Sequence, residues 1–173
     1  MTTSPDLGTG ACAPDRMRAL MAGFPTGVSV VTAVGAGGAP LGMTCSSLCS
    51  VTLSPPTLLV CLRGRSPTLA AVRASGRFAV NLLHADARAT AELFASGAVD
   101  RFDRVRWRTE PGGGGPHLYT DAHSVGDCRV TDVRPVGDHA VVLGEVVRVT
   151  QWPAQPPLLY GLRRYATWNA NTR

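Results

Sequence analysis

Most apolar residues of this chain fall in short runs that glycine, proline or polar residues interrupt. Short runs rich in Val and Leu indicate β-strands rather than long amphipathic helices. The pattern predicts about six or seven strands and two or three helices, which favours a mainly β fold, an antiparallel barrel with helices on its rim. The predicted strands are 28–34, the stretch that begins at Gly42, 57–62, 78–83, 124–136 and 139–152.

Turn residues and one amide refine this pattern. The sequence GAGGAP after residue 34 and the Gly137–Asp138 pair each predict a hairpin between neighbouring strands. The continuous run 57–62, TLLVCL, is typical of a central strand that is covered on both faces. Asn81 interrupts the run 78–83, and a buried amide needs hydrogen-bond partners, so its side chain either bonds the backbone or contacts a ligand.

Three segments predict helices. Residues 85–95 are helical by composition, and a second helix should start after Ser66, with Pro67 in its first turn, and end at Gly76. The third helix covers 15–23, with Asp15 as its N-cap. Its apolar residues follow helical spacing, so we expect one buried face made of Met17, Leu20, Met21 and Phe24.

Two segments of the second half predict irregular structure. Residues 101–108, RFDRVRWR, alternate charged and apolar residues as an edge strand or a charged loop does. The sequence PGGGGP at 111–116 predicts a flexible loop on the surface.

The length of 173 residues suits one domain, which we place at 15–168 between the polar tails 1–14 and 169–173. The N-terminus lacks a basic segment followed by an apolar one, so no secretory signal is predicted, and no apolar run is long enough to span a membrane. A mean hydropathy of +0.07 indicates an apolar interface, and we expect a cytoplasmic homodimer.

The charge pattern favours a small anionic ligand. The net charge is +5, and all 17 basic residues are arginines, which bind phosphate well. These arginines are scattered and aromatic residues make up only 6%, so a nucleic-acid groove is disfavoured. The five cysteines form no CxxC pair, and no histidine stands near them at zinc-finger spacing, which predicts reduced thiols and no metal site.

The stretch 42–56, GMTCSSLCSVTLSPP, carries small hydroxyl residues where strands usually carry bulky ones. Small residues let a flat ligand approach the backbone, and hydroxyls can hydrogen-bond along its edge. A serine-rich strand on a solvated barrel face would give the same pattern. If the stretch is one strand, Cys45 and Cys49 share a face.

The predicted helix that follows Ser66 offers an anion site. Its free N–H groups, the hydroxyls of Ser66 and Thr68, and the nearby Arg63 and Arg65 would converge on one spot. An ordinary capped helix with two solvated arginines remains the alternative.

These pieces together resemble the flavin reductase-like family, whose members have the FMN-binding split-barrel fold and serve as the small reductases of two-component flavin monooxygenases. The match covers roughly residues 16–166 and keeps the family's order. Leu48 stands where the family's SSF motif usually has phenylalanine. The C-terminal sequence LRRYATWN differs from the GRYR-like motif with which family members usually end. The matching segments are FPTGVSVVTA (24–33), GMTCSSLCSVTLSPP (42–56), LLVCLRGRSPTL (58–69), SGRFAVNLL (75–83), DRF (100–102), GDHAVVLGEV (137–146) and LLYGLRRY (158–165).

The resemblance implies a role for individual residues. It implies that Ser66 and Thr68 hold the flavin phosphate, that Asn81 neighbours the ring or ribityl chain, and that Tyr165 helps to close the pocket, often from across a dimer interface. His139 would stand where nicotinamide enters; without the resemblance it reads as a polar turn histidine. The residues expected to face the flavin ring are Thr44, Cys45, Ser46 and Ser47.

The activity implied is reduction of FMN or FAD by NADH or NADPH through hydride transfer, with the reduced flavin passing to a partner monooxygenase. Two alternatives stay open at this point: an oxidoreductase that retains its flavin and acts on an organic substrate, and a non-catalytic flavin- or haem-binding barrel. No GxGxxG fingerprint is present to indicate which nucleotide is preferred.

Overall fold

The structure, a computed structural model, describes residues 12–153 and 155–168. Most of the predicted tail 1–14 and all of the predicted tail 169–173 lie outside these residues. The described chain forms three α-helices, a 3-10 turn and ten strands. The helices are α1 (Pro14–Ala22), α2 (Pro67–Ser75) and α3 (Arg88–Ser96); the strands are β1 (Thr26–Gly27), β2 (Ser29–Val34), β3 (Pro40–Cys45), β4 (Cys49–Leu53), β5 (Pro56–Arg63), β6 (Arg77–Leu83), β7 (Ala122–Val136), β8 (His139–Gln151), β9 (Leu158–Gly161) and β10 (Arg164–Thr167).

Seven strands form one antiparallel sheet in the order β3-β2-β6-β7-β8-β5-β4, and β1, β9 and β10 form a second sheet. Strands β3 and β4 follow each other in the chain yet lie at opposite ends of that order. Four Cα steps separate Cys45 from Cys49, a span of at most about 14 Å. The large sheet must therefore curl until its two edges approach each other, which confirms the predicted mainly β fold with helices at its rim.

One serine joins the two approaching edges. The Ser47 hydroxyl accepts a hydrogen bond from the Cys61 N–H at 3.0 Å and lies 3.2 Å from the Cys61 carbonyl, to which it donates. Ser47 follows β3 and Cys61 belongs to β5. The link between β3 and β4 is thus fixed to the far end of the sheet.

The core consists of two main clusters, one on each face of the β2–β3 hairpin. Helix α2 contributes Leu69 and Val72 to the cluster that also contains Val31 and Phe78. Helix α3 contributes Phe94 to the other cluster, in which its ring meets Phe102 edge to face at 5.1 Å. Helices α2 and α3 therefore cover opposite faces of the same hairpin.

The predictions that depend on caps and turns are confirmed. Helix α2 starts after Ser66, whose Oγ accepts the Leu69 N–H at 3.1 Å, and it ends at Gly76 with a φ of 66°. Both predicted hairpins form. Residues 101–108 are irregular, so the charged-loop interpretation is correct. The strand count is higher than expected because the short strands β1, β9 and β10 build the second sheet.

The expected buried face of helix α1 is wrong. The helix exists, but Ala13 rather than Asp15 occupies the N-cap position, and no residue of α1 is buried. No other element within residues 12–153 and 155–168 covers the apolar stripe. The exposed fractions are 50% for Met17, 70% for Leu20, 46% for Met21 and 63% for Phe24.

Two strand predictions are also wrong. The stretch 42–56 is not one strand: Cys45 ends β3 and Cys49 begins β4, so these cysteines do not share a strand face. The run 57–62 is not central either, because β5 lies next to the edge strand β4. Its burial is concentrated at Val60 and Leu62, since only one face of β5 meets the core.

The end of the glycine-rich loop, residues 114–116, is buried, so the prediction of a flexible surface loop is wrong there. Residues 114–118 are buried against the backs of β2 and β6. A Cβ on Gly114 would lie 1.8 Å from the Phe78 carbonyl oxygen, and one on Gly115 would lie 2.6 Å from the Thr32 carbonyl oxygen. The glycines are there because only a chain without side chains can approach those strands so closely.

Candidate active site

A cavity of about 1010 Å³ opens where the end of β3, the β5–α2 turn, the start of β8, the segment after α3 and the β9–β10 pair meet. The sequence-predicted site residues come from distant parts of the chain, and all but one reach this cavity. Those that line it are Thr44, Cys45, Ser46, Ser47, Ser66, Thr68, His139 and Tyr165.

The hydroxyl residues of the β3 end differ in what they leave for a ligand. Thr44 Oγ1 donates to the Ala91 carbonyl at 2.7 Å, which fixes β3 to α3. Ser47 is committed to Cys61 as described above. Ser46 is exposed, and among the described residues its hydroxyl has no partner. Because the hydroxyl protons of Thr44 and Ser47 are used within the protein, these two hydroxyls can only accept a hydrogen bond from a ligand. Ser46 is the hydroxyl free to donate one.

Cys45 lies at the wall of the cavity and is 4% exposed. Its thiol lies 3.2 Å from the Ser47 hydroxyl. Burial raises the pKa of the Cys45 thiol, outweighing the hydrogen bonds from Ser47. The thiol therefore stays protonated and behaves as a small apolar group.

The β5–α2 turn, for which the sequence predicts an anion site, lines the cavity. Pro67 has no N–H and the Ser66 hydroxyl caps the Leu69 N–H, so the Thr68 N–H at the second helical position lacks an intrahelical partner. Arg63 and Arg65, from the same turn, also line the cavity. The positive end of the helix dipole and two arginines therefore belong to one turn at the cavity wall.

His139 is held next to this turn. It begins β8 opposite Arg63, and its Nδ1 lies 2.7 Å from Asp138 Oδ1. The hydrogen bond with His139 holds the pKa of Asp138 below its usual range. The Asp138 carbonyl in turn accepts the Gly64 N–H at 2.8 Å. The β7–β8 turn and the β5–α2 turn are therefore fixed together, and Nε2 of His139 remains for a ligand.

Tyr165 also lines the cavity, from β10. Its ring packs edge to face on Tyr160 at 5.2 Å, and the guanidinium carbon of Arg88 lies 5.5 Å from the ring centre. Burial raises the pKa of Tyr165, and the nearby Glu92 adds to this effect. The phenol is therefore neutral at physiological pH and offers an apolar wall with one polar tip.

Asn81 is placed elsewhere. It is fully buried in β6 and does not line the cavity. Its Oδ1 accepts the Leu118 N–H at 2.8 Å. Its Nδ2 lies within hydrogen-bond distance of the Val30 carbonyl, the Pro116 carbonyl and the Thr32 hydroxyl. The structure therefore supports the backbone-bonding alternative for Asn81 rather than a ligand contact.

Sequence reasoning did not select Arg101 or Phe94, which also line the cavity from the segment after and within α3. Arg101 belongs to the DRF motif quoted above, and that was the only signal for it. The lining contains Arg63, Arg65, Arg101 and His139 but no Asp or Glu. The three arginines therefore favour an anionic ligand.

Two other kinds of feature are absent from the described residues. No three His, Cys, Asp or Glu side chains there come together as a metal ion would require. None of the described helices has the length and apolar character needed to cross a membrane.

Comparisons with known proteins agree with this geometry. Residues 21–169 match the family described as Flavin reductase like domain. A flavin reductase (NADPH) of Lentzea aerocolonigenes is 55% identical over 151 residues, 87% of this chain and 88% of that protein. A flavin reductase (NADH) of Kitasatospora aureofaciens is 42% identical over 164 residues, 94% of this chain and 86% of that protein.

Solved structures give the same result. The NADH:FAD oxidoreductase of Streptomyces globisporus C-1027, solved with NAD and FAD fragments, superposes with a TM-score of 0.85 at 34% identity, over 95% of this chain and 99% of that one. A putative flavin reductase of Haemophilus somnus reaches the same TM-score at 32% identity, over 91% of this chain and 100% of that one. The fold, the motifs and the cavity agree, and this chain belongs to the flavin reductase-like family.

Proposed function

We propose that this protein is an NAD(P)H:flavin oxidoreductase that reduces FMN or FAD and passes the reduced flavin to a partner monooxygenase. The observation that carries the proposal is the cavity itself. It combines a helix N-terminus, three arginines, small hydroxyl residues and a histidine, and it contains no carboxylate. These are the groups that a phosphorylated, flat, electron-accepting ligand requires.

The residues present fit a flavin. Ligand cavities usually measure about 300–1,000 Å³, and the volume of about 1010 Å³ leaves room for a flavin beside a nicotinamide. A phosphate would bind at the Thr68 N–H, between Arg63 and Arg65. Close approach to the backbone is possible along Thr44, Cys45 and Ser46, because none of these side chains is large.

A bound flavin would supply the hydride-accepting chemistry. The residues of this chain would bind the flavin and the nicotinamide and orient them. Ser66 keeps the start of α2 in place, and Ser46 donates a hydrogen bond into the cavity. His139, held by Asp138, presents Nε2 where a nicotinamide carboxamide can be oriented. Tyr165 and Phe94 limit the access of water to the ring site.

The assembly proposed is a cytoplasmic homodimer in which residues 15–168 form the catalytic unit. The exposed apolar face of α1 supports the dimer. Leu162 extends this face, because its N–H bonds the Ala22 carbonyl at the end of α1 and its side chain is 64% exposed. Light scattering of the purified chain tests the dimer, and Leu20→Asp should shift it to monomer.

The monooxygenase partner is supported by relatives. The reductase subunit of a flavin-dependent monooxygenase from Rhodococcus jostii is 33% identical over 163 residues, 91% of this chain. A structure of nitrilotriacetate monooxygenase component B from Mycobacterium thermoresistibile superposes with a TM-score of 0.84.

The decisive experiment measures oxidation of NADH and of NADPH by the purified protein with FMN, with FAD, and without added flavin. Oxidation that saturates with added flavin supports the proposal and shows which pair is preferred. Oxidation that needs no added flavin after extensive dialysis indicates an enzyme that retains its flavin. No oxidation under any of these conditions refutes the proposal.

A further inference from the structure

Arg101 is the one charged group of the cavity that the flavin-binding elements leave without a role. It lies three residues beyond Ala98, in the segment that follows α3, and its Nη1 donates to the Ala98 carbonyl at 2.7 Å. Its Nε is buried and has no hydrogen-bond partner among the described residues. A buried guanidinium N–H without an acceptor is costly, so this atom calls for an acceptor that a ligand brings.

The position of Arg101 separates it from the phosphate site at α2. Helix α2 packs with Met43 and Cys45 on one face of β3, and the α3 segment packs on the other face. The ring of Phe102, next to Arg101, meets β3 at Gly42, where an added Cβ would lie 3.2 Å from it. The cavity therefore has cationic groups on both faces of β3, Arg63 and Arg65 on one and Arg101 on the other.

The surroundings of Arg101 leave its charge available to a ligand. Among the described residues that line the cavity there is no Asp or Glu, so none of them competes for this charge. The neighbouring lining residues of the same segment are Gly97 and Val99, which add no charge. Arg101 lies near the negative end of the α3 dipole, which explains the hydrogen bond from its Nη1 to the Ala98 carbonyl. The dipole does not explain why the Nε of Arg101 is buried without a partner among the described residues.

We propose that Arg101 binds a phosphate group of the nicotinamide dinucleotide and so positions the hydride donor. This inference rests on the proposed function. The α2 site accommodates one phosphate of FMN or FAD, whereas the nicotinamide dinucleotide brings further phosphates of its own. A planar guanidinium that uses Nε and the second terminal nitrogen is suited to bidentate contact with one of them.

The test compares wild type with Arg101→Gln, Arg101→Lys and the control Arg104→Gln, an exposed arginine of the same loop that does not line the cavity. Affinity for NADP⁺ and NAD⁺ is measured by calorimetry, FMN and FAD affinity by fluorescence quenching, and steady-state KM for NADPH and NADH with FMN. Arg101→Gln should weaken nicotinamide binding and raise KM by about ten- to a hundredfold. Arg101→Lys should fall between, and Arg104→Gln should match wild type.

The outcomes separate this inference from the proposed function. A larger loss for NADPH than for NADH places Arg101 at the 2′-phosphate, and equal losses place it at the pyrophosphate; both support the inference. Retained FMN affinity and melting temperature in Arg101→Gln show that the fold is intact. An active wild type whose nicotinamide parameters do not change on substitution overturns the inference alone, as does a loss confined to FMN or FAD. A wild type without any reductase activity overturns the proposed function instead.

Discussion

The carboxylate of Asp127 fastens the buried glycine-rich loop to the large sheet, and its removal should destabilise the whole domain. Asp127 is 1% exposed and accepts hydrogen bonds from the Gly114 N–H at 2.7 Å, from His117 Nε2 at 2.9 Å and from Arg148 Nε at 2.8 Å. Burial by itself would raise the pKa of Asp127, but these three donors together lower it to about 2.

The size of the effect follows from these contacts. Breaking a buried charged pair by removing one partner costs about 3–5 kcal/mol, since Gly114, His117 and Arg148 would be left with buried donors that lack acceptors. Domains of this kind have a free energy of unfolding of about 5–15 kcal/mol. We therefore expect Asp127→Ala to lower the free energy of unfolding by about 3–5 kcal/mol.

The pH dependence has a definite sign. Because the pKa of Asp127 is lower in the folded chain than in the unfolded chain, its contribution is complete above about pH 4 and is lost as the pH falls towards 2. A shift from the usual 3.8 to about 2 corresponds to roughly 2 kcal/mol. The difference in stability between wild type and Asp127→Ala should therefore shrink over that range.

Urea unfolding at pH 7 and at steps down to pH 2 measures both effects. The control is Asp132→Ala, on the same strand, whose solvent-exposed ion pair with Arg134 should contribute far less to stability. If Asp127→Ala is no less stable than Asp132→Ala at pH 7, the loop does not depend on the carboxylate and the reasoning fails.

Three further predictions concern the site and the loop. Ser66→Ala should lower the free energy of unfolding by about 1 kcal/mol through loss of the cap and weaken FMN binding while leaving riboflavin, which has no phosphate, unaffected; equal losses for both ligands in fluorescence titrations would contradict a phosphate site. His139→Ala should raise the nicotinamide KM or slow flavin reduction in stopped flow with FMN affinity kept, and unchanged kinetics would remove its role. Gly114→Ala should destabilise by more than about 3 kcal/mol in urea unfolding, because the new Cβ would overlap the Phe78 carbonyl, whereas Gly126→Ala, whose Cβ would come no closer than 3.8 Å to Val146, should fold normally.

The function could be inferred from the sequence because several short family motifs occur in it in the expected order. The motif order led to the correct family, and it gave a list of site residues that nearly all line one cavity. Two residues show where that approach fails. Asn81 belongs to a matching motif, yet its amide is used to hold the loop at Pro116 and Leu118. Arg101 belongs to a three-residue motif, which is too short to predict that its side chain lines the cavity.

The sequence by itself determined what depends on neighbours a few residues away. The α2 helix is set by Ser66, Pro67 and Gly76, and the hairpins are set by their turns, because caps and turns satisfy backbone groups within a single turn of chain. The same local rules predict an anion site at the β5–α2 turn, and the structure places that turn at the wall of the cavity.

Only the tertiary structure decided what depends on partners far along the chain. The stretch after Gly42 breaks into two strands because the sheet curls and Ser47 meets Cys61, fourteen residues away. The end of the glycine-rich loop is buried because Asp127, Asn81 and Thr32 hold it, and the α1 face stays exposed because no segment among the described residues covers it. The composition of a segment determines how easily it bends and how much it gains from being buried. Which other segment covers it is determined only when the strands of the sheet come together.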